Sequence, residues 1–214
     1  MKAIVVERPN VLKTIEIDPP QLNTQNNVLI KMRAVGICGS DVHIYHGTNA
    51  AAVYPRIMGH EIVGVVERTG EGVHSLKKGD RVTVSQMVSC GKCYACRHGR
   101  SNVCSKLKVR GVHFDGGFQE YIAVPEKDCY LLPAGLSDED SVMIEPVTVA
   151  IQNCERAGIS ADDTLLILGY GALGSIIFKV ARWKTSHIIA ADIAPERLKE
   201  AEMAGIYATI DLSK

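Results

Sequence analysis

A chain of 214 residues with 46% hydrophobic content is long enough for one large domain or two modest ones. Lys and Arg number 24, as do Asp and Glu, and this zero net charge argues against nucleic acid or an anionic membrane as the main partner. No apolar run is long enough for a membrane span, and the opening MKAIVVERPN lacks a signal-peptide pattern, so the reducing cytoplasm is the expected compartment.

Residues 1–150 read as mostly β. NVLIKMRAVGI partly alternates, with Val28, Ile30, Met32 and Ala34 on one side. EIVGVVERTG and DRVTVSQ are short β-branched runs beside Gly and Asp turns, and GGFQEYIAVP is another, closed by Pro125. Short strands with many glycines predict a barrel-like or sandwich domain. The texture then changes. DTLLIL, at 163–168, is a compact apolar strand. After it Leu173, Ile176, Ile177, Val180 and Ala181 follow a helical period. HIIAAD is a second strand, PERLKEAEMAG a second helix from Pro195 to Gly205, and YATIDL the start of a third strand. Strand–helix–strand–helix–strand is a parallel α/β unit, placed at 151–214.

Three groups of residues carry chemistry. Gly169, Gly171 and Gly174 form G-x-G-x-x-G between an apolar strand and an amphipathic helix, the context of a dinucleotide loop. The first glycine permits the turn, the second lets a pyrophosphate approach, and the third lets helix and strand pack closely. Asp192 ends the next strand, 23 residues after Gly169, where a carboxylate accepts both ribose hydroxyls and repels a 2′-phosphate. NAD is therefore expected over NADP. The candidate cofactor residues are Gly169, Gly171, Ala172, Leu173, Gly174, Asp192 and Arg197.

Cys90, Cys93, Cys96 and Cys104 are spaced C-x2-C-x2-C-x7-C. Four thiolates close a tetrahedral shell around zinc and leave no position for substrate. An iron–sulfur cradle is the rival, disfavoured by the fourth spacing and by the absence of Pro after Cys104. A disulfide cluster does not suit a cytosolic chain. Lys92, Arg97, His98 and Arg100 offset the thiolate charge. Cys38 and His60, each in a Gly-rich turn at a predicted strand end, are a thiolate and an imidazole suited to zinc. Cys154 reads as a buried helix residue.

The segments GICGSDVHIY, GHEIVGVVERTGEGV, GDRVTV, CGKCYACRHGRSNVC, DGGFQEY and IEPVTVA together resemble the zinc-dependent medium-chain alcohol dehydrogenases over essentially the whole chain. Glu145, in MIEPVTVA, makes the likeness strongest to the sorbitol dehydrogenase branch and its bacterial sugar-acid relatives, such as L-galactonate oxidoreductases. The resemblance implies a GroES-like β-barrel catalytic domain at 1–150, followed by the first half of a Rossmann doubly wound parallel sheet. It implies two zinc ions per chain. Cys38, His60 and Glu145 would hold the catalytic one, with Glu61 an alternative ligand or a close base, and the four clustered cysteines a structural one. Ser40 and His43 would carry the proton from substrate to solvent. Arg56 would pair with Asp41, while His113, Phe114 and Asp115, with Tyr45 and His46, would lie near the substrate cleft. The implied activity is NAD-linked oxidation of a secondary alcohol in a polyol or sugar acid, by a dimer or tetramer with no nucleic-acid or membrane partner. The alternative is a non-catalytic zinc-binding fragment. Only three strands of the cofactor fold are expected, so residues 1–214 alone are expected to bind zinc and turn over poorly.

Overall fold

A computed structural model describes residues 1–214, which fall into two compact units, Met1–Ile144 and Glu145–Lys214. The first contains β1 (Lys2–Arg8), β2 (Val11–Glu16), β3 (Asn27–Gly36), α1 (Gly39–Tyr45), β4 (Arg56–Ile57), β5 (Glu61–Thr69), β6 (Arg81–Val84) and β7 (Met87–Val88). It continues through α2 (Tyr94–Arg97), β8 (Lys108–Val109), β9 (Tyr121–Pro125), β10 (Cys129–Leu131) and α3 (Asp138–Val142). The helix α4 (Ile144–Ala157) starts on the last residue of the first unit and runs in the second, followed by β11 (Leu165–Leu168), α5 (Ala172–Ala181), β12 (Ile188–Asp192), α6 (Pro195–Met203) and β13 (Ala208–Asp211).

The first unit is built on an antiparallel sheet ordered β10-β6-β5-β3-β9. Its core is the apolar set Val28, Ile30, Ile62, Val66, Val82, Val84, Ile122 and Val124, all buried. Val28 and Ile30 face this core as their alternation predicts, but Leu29 between them is buried too. The register of β3 on β5 shifts at Leu29/Ile30 and again at Met32/Ala34, and such irregularities re-aim the side chains of a strand. After the second shift β3 runs out at Gly36, paired with Glu61 of β5. That pairing brings the two halves of the site together. A smaller sheet, β2-β1-β4, adds a hairpin turned at Pro9-Asn10, with Asn10 at φ +64. Sequence patterning had not marked this hairpin. The β7/β8 ribbon carries the four-cysteine lobe.

In the second unit β11, β12 and β13 form a parallel sheet in that order, with helices between successive strands. Cys154, Ile167, Tyr170, Phe178, Ile188 and Ala190 make its core, so Cys154 is a packing residue as expected. The strand β11 pairs with β12 alone, and Leu166 and Leu168 on it stay exposed.

Candidate active site and metal centres

At the end of β3 the chain turns through Cys38, the N-cap of α1. Three residues on, Asp41 is 1% exposed. Its Oδ2 accepts the Cys38 amide at 2.9 Å, and its Oδ1 accepts the Gly59 amide at 3.3 Å and lies 3.7 Å from His60 Nδ1. One carboxylate thus ties the N-cap of α1 to the turn that presents His60. His60 and Glu61 are buried, and donor atoms of Cys38, His60 and Glu61 all lie within 4.8 Å of one another. Glu61 reaches this position across Gly36. A Cβ at residue 36 would fall 1.8 Å from Glu61 Oε2, so only glycine leaves the carboxylate its place. The Cys38 thiol is held below its ordinary range, first by a hydrogen bond with His60 and also by the Ser40 amide and hydroxyl. Burial pushes the Glu61 carboxyl up, against the pull of His60. A thiolate, an imidazole and a carboxylate converging this closely fit zinc.

The second centre is assembled by local backbone. The Cys90 and Lys106 amides each donate to Cys104 Sγ at 3.3 Å, and the Cys93 amide donates to Cys90 Sγ at 3.4 Å. Cys93 Sγ lies 3.5 Å from Cys96 Sγ and 3.9 Å from Cys104 Sγ. Four sulfurs held about 2.3 Å from one tetrahedral centre lie about 3.8 Å apart, so the set fits a closed zinc shell. Amide hydrogen bonds, from Cys96 foremost, hold the Cys93 thiol down to about 5, while burial and the Cys93 sulfur push Cys96 up to about 11.

In the second unit the glycine loop joins β11 to α5. Gly169 has φ +92, and a Cβ on Gly174 would meet the Gly169 carbonyl oxygen at 2.0 Å. Gly171 is the N-cap of α5, and Ala172 and Leu173 lie in its first turn, whose amides have no intrahelical partner and suit a phosphate. Asp192 ends β12, buried at 4%. Its Oδ2 accepts the Tyr170 amide at 2.7 Å, its Oδ1 accepts the Ala194 amide at 2.9 Å, and Arg197 Nη1 stands 3.5 Å away. Oδ1 keeps a further acceptor position, whereas Oδ2 faces both the Tyr170 amide and Arg197. The Ala194 amide first, then the Tyr170 amide, hold the carboxyl below its usual range. A depressed folded-state pKa stabilises the fold above the ordinary carboxylate range and loses that contribution as pH falls through the lowered value. Asp192→Asn is therefore expected to lower the stability of wild-type protein at neutral pH and to flatten its loss on acidification below pH ~4. Denaturant unfolding measured across pH checks this.

Residues 24–134 match the alcohol dehydrogenase GroES-like domain. The chain belongs to this alcohol dehydrogenase family. It is 44% identical over 207 residues to "starvation-sensing protein RspB" of Escherichia coli (strain K12), a match covering 96% of this chain and 61% of that protein. It is 37% identical over 200 residues to the L-galactonate-5-dehydrogenase of the same strain, covering 92% and 57%. Among solved structures it is similar to the short chain alcohol dehydrogenase (rspB) from E. coli CFT073 complexed with cofactor NADH, with a TM-score of 0.94 and 42% identity, covering 100% of this chain and 63% of that one. The chain thus spans about 60% of the length of the curated relatives it matches.

Within this alcohol dehydrogenase frame the expected site residues divide. Cys38, His60 and Glu61 come together. Glu145 lies in the first turn of α4, in the second unit. Ser40 hydrogen-bonds the Cys38 sulfur, and His43, exposed on the same helix, has Nδ1 2.9 Å from Thr48 Oγ1. Arg56 does not pair with Asp41. It pairs with Asp115 at 2.9 Å, and Asp115 also accepts the Ile57 amide, while Asp41, 1% exposed, is turned to the Cys38 and Gly59 amides and to His60. Tyr45 and His46 are occupied by Asn10 of the first hairpin. His113 accepts the Val109 amide, and Phe114 lies beneath the Arg110 guanidinium. These loop residues thus brace the first unit's turns. Asp41 was expected only as the partner of Arg56; its bonds to the Cys38 and Gly59 amides were not foreseen. Its signal was its place at the third helical position behind Cys38, a capping-box spacing.

Proposed function

We propose that this chain belongs to an NAD- and zinc-dependent dehydrogenase that oxidises a secondary alcohol of a polyol or sugar acid. The observation that carries the proposal is the convergence of Cys38, His60 and Glu61 in a GroES-like domain whose chain continues into a Gly169-x-Gly171-x-x-Gly174 loop. The L-galactonate-5-dehydrogenase relative supports the sugar-acid class, and the NADH-bound neighbour supports the cofactor.

Cys38 and His60 would hold the catalytic zinc together with a carboxylate, either Glu61, which shares their cluster, or Glu145, which lies in the first turn of α4. When bound, zinc supplies a Lewis acid that makes a substrate hydroxyl acidic near neutral pH, and NAD accepts the hydride. The chain's own groups handle the proton. The Ser40 hydroxyl, one turn of α1 from His43, takes it from the substrate, and exposed His43 releases it to solvent. The amides at the start of α5 would hold the pyrophosphate, with Gly171, Ala172, Leu173 and Arg197 as the candidate contacts, and Asp192 would favour a free 2′-hydroxyl. The four-cysteine centre would hold a second, structural zinc. A cytoplasmic homo-oligomer acting on small molecules completes the reading.

The test is NAD reduction against a panel of polyols and aldonic acids, using zinc-loaded protein extended to the length of its relatives. Turnover of one class that disappears on chelation and returns with zinc is expected. Reduction insensitive to zinc, or none across the panel, overturns the reading. Residues 1–214 alone, with three parallel strands, are expected to bind zinc and turn over little.

A further inference from the structure

The zero net charge of the chain hides a strong segregation. From Arg81 to Phe114 there are seven Lys and Arg residues and no carboxylate. The rest of the chain therefore holds 17 Lys and Arg against 24 acids, a balance of −7. Two of the seven cations are committed: Arg81 pairs with Asp138 and buried Arg110 with Asp128. The other five, Lys92, Arg97, Arg100, Lys106 and Lys108, are exposed and none is in an ion pair. All five sit on the four-cysteine lobe or its ribbon. Four thiolates around a divalent ion carry −2, so the five cations leave about +3 on the loaded lobe.

The lobe also carries an aromatic platform. Tyr94, 73% exposed, stacks on His98 with ring centroids 4.0 Å apart and planes at 30°. The Tyr94 carbonyl accepts from His98 Nδ1 at 2.8 Å, which fixes the ring. Arg97, three residues from Tyr94, projects from the same side of α2. Neutralising the sulfur centre requires two cations, and an exposed stacked pair adds nothing to that task. Cations that follow a phosphate backbone beside a flat ring on which a base can stack are the two components of sequence-tolerant single-strand recognition.

We propose that the four-cysteine lobe is a docking surface for single-stranded nucleic acid, using Lys92, Arg97, Arg100, Lys106 and Lys108 for phosphates and the Tyr94–His98 stack for a base. This departs from the expectation of no nucleic-acid partner, because total charge averages over the chain and hides the local excess of cations on this lobe.

The probe is a fluorescein-labelled oligouridylate titrated with metal-loaded protein and followed by anisotropy. Binding at low salt is expected, weakening with salt along a log–log slope of about −2 to −4, as release of counterions from three to five phosphates requires. The charge reversal R97E/R100E/K106E is expected to weaken binding at least about tenfold, and Tyr94→Ala about fivefold or more with the salt slope unchanged. Zinc content is read in the same samples. Should the reversal lose metal, the milder R100Q/K108Q, which leaves the sulfur turns untouched, is expected to cut binding and shallow the slope. No binding by wild-type protein, equal binding by the neutralised variant, or attachment to phosphatidylserine vesicles without oligonucleotide binding each overturns the proposal.

Discussion

Cys104→Ser is expected to cost the four-cysteine lobe its metal and its shape while leaving the Cys38–His60–Glu61 centre loaded. Zinc content should fall by one ion per chain. Cys104 is buried, accepts two of the amides that organise the lobe and lies against Cys93. Residues 90–103 contribute nothing to the hydrophobic clusters of the first unit. With no apolar core beneath it, the lobe is held by its sulfur centre, and metal binding there is folding energy for the segment, of order 10 kcal/mol in isolated zinc peptides at neutral pH. Trypsin should then cut after Lys92, Arg97 and Arg100 about tenfold faster or more, as the open state becomes the dominant one. Metal analysis and timed proteolysis read the two effects. Retention of both zinc ions by the variant would sink the assignment.

Asp41→Ala acts on the other centre. It removes a buried acceptor from the Cys38 and Gly59 amides and from beside His60. Leaving two buried donors unsatisfied costs about 2–5 kcal/mol. Groups standing behind metal ligands are worth about 10- to 100-fold in metal affinity, so zinc should be lost to a competing chelator at correspondingly lower concentration. Asp41→Asn keeps one acceptor oxygen and the side-chain volume and should fall between wild type and alanine. The four-cysteine zinc should be unaffected in both variants. Chelator competition with denaturant unfolding separates the two costs, and unchanged affinity in the alanine variant would show that Asp41 serves the fold alone.

Local chemistry was the legible part. The four cysteines lie within fifteen residues, and the glycine loop with Asp192 lies within one strand–helix–strand unit, so spacing alone brought them together. Cys38 and His60 were less legible one at a time, since a lone Cys or His usually packs; they stood out as a pair in glycine-rich turns beside a dinucleotide loop. The partner of Arg56 was not. Asp115 lies 59 residues away, and the acid nearer in sequence, Asp41, is buried against the Cys38 and Gly59 amides. No pattern in the chain reveals that two amides from separate turns share one carboxylate. The bonds of Tyr45 and His46 to Asn10 were equally illegible, since the hairpin supplying Asn10 had not been marked as structure at all. The place of Glu61 followed from the register of β3 on β5, which sets Gly36 opposite it, and register with two shifts is not readable from alternation.

The space that Gly36 leaves for Glu61 binds two positions on different strands into one unit of change. The carboxylate occupies the volume that any side chain at residue 36 would need, with Val142 closing the same space at 2.7 Å. A side chain at 36 therefore displaces the Glu61 carboxylate, and fits without strain only where residue 61 shortens and Val142 also gives way. Descendants of this sequence should keep or lose the pair together, and a designer wishing to evict one carboxylate from the site could do so from the neighbouring strand, without touching a single donor atom.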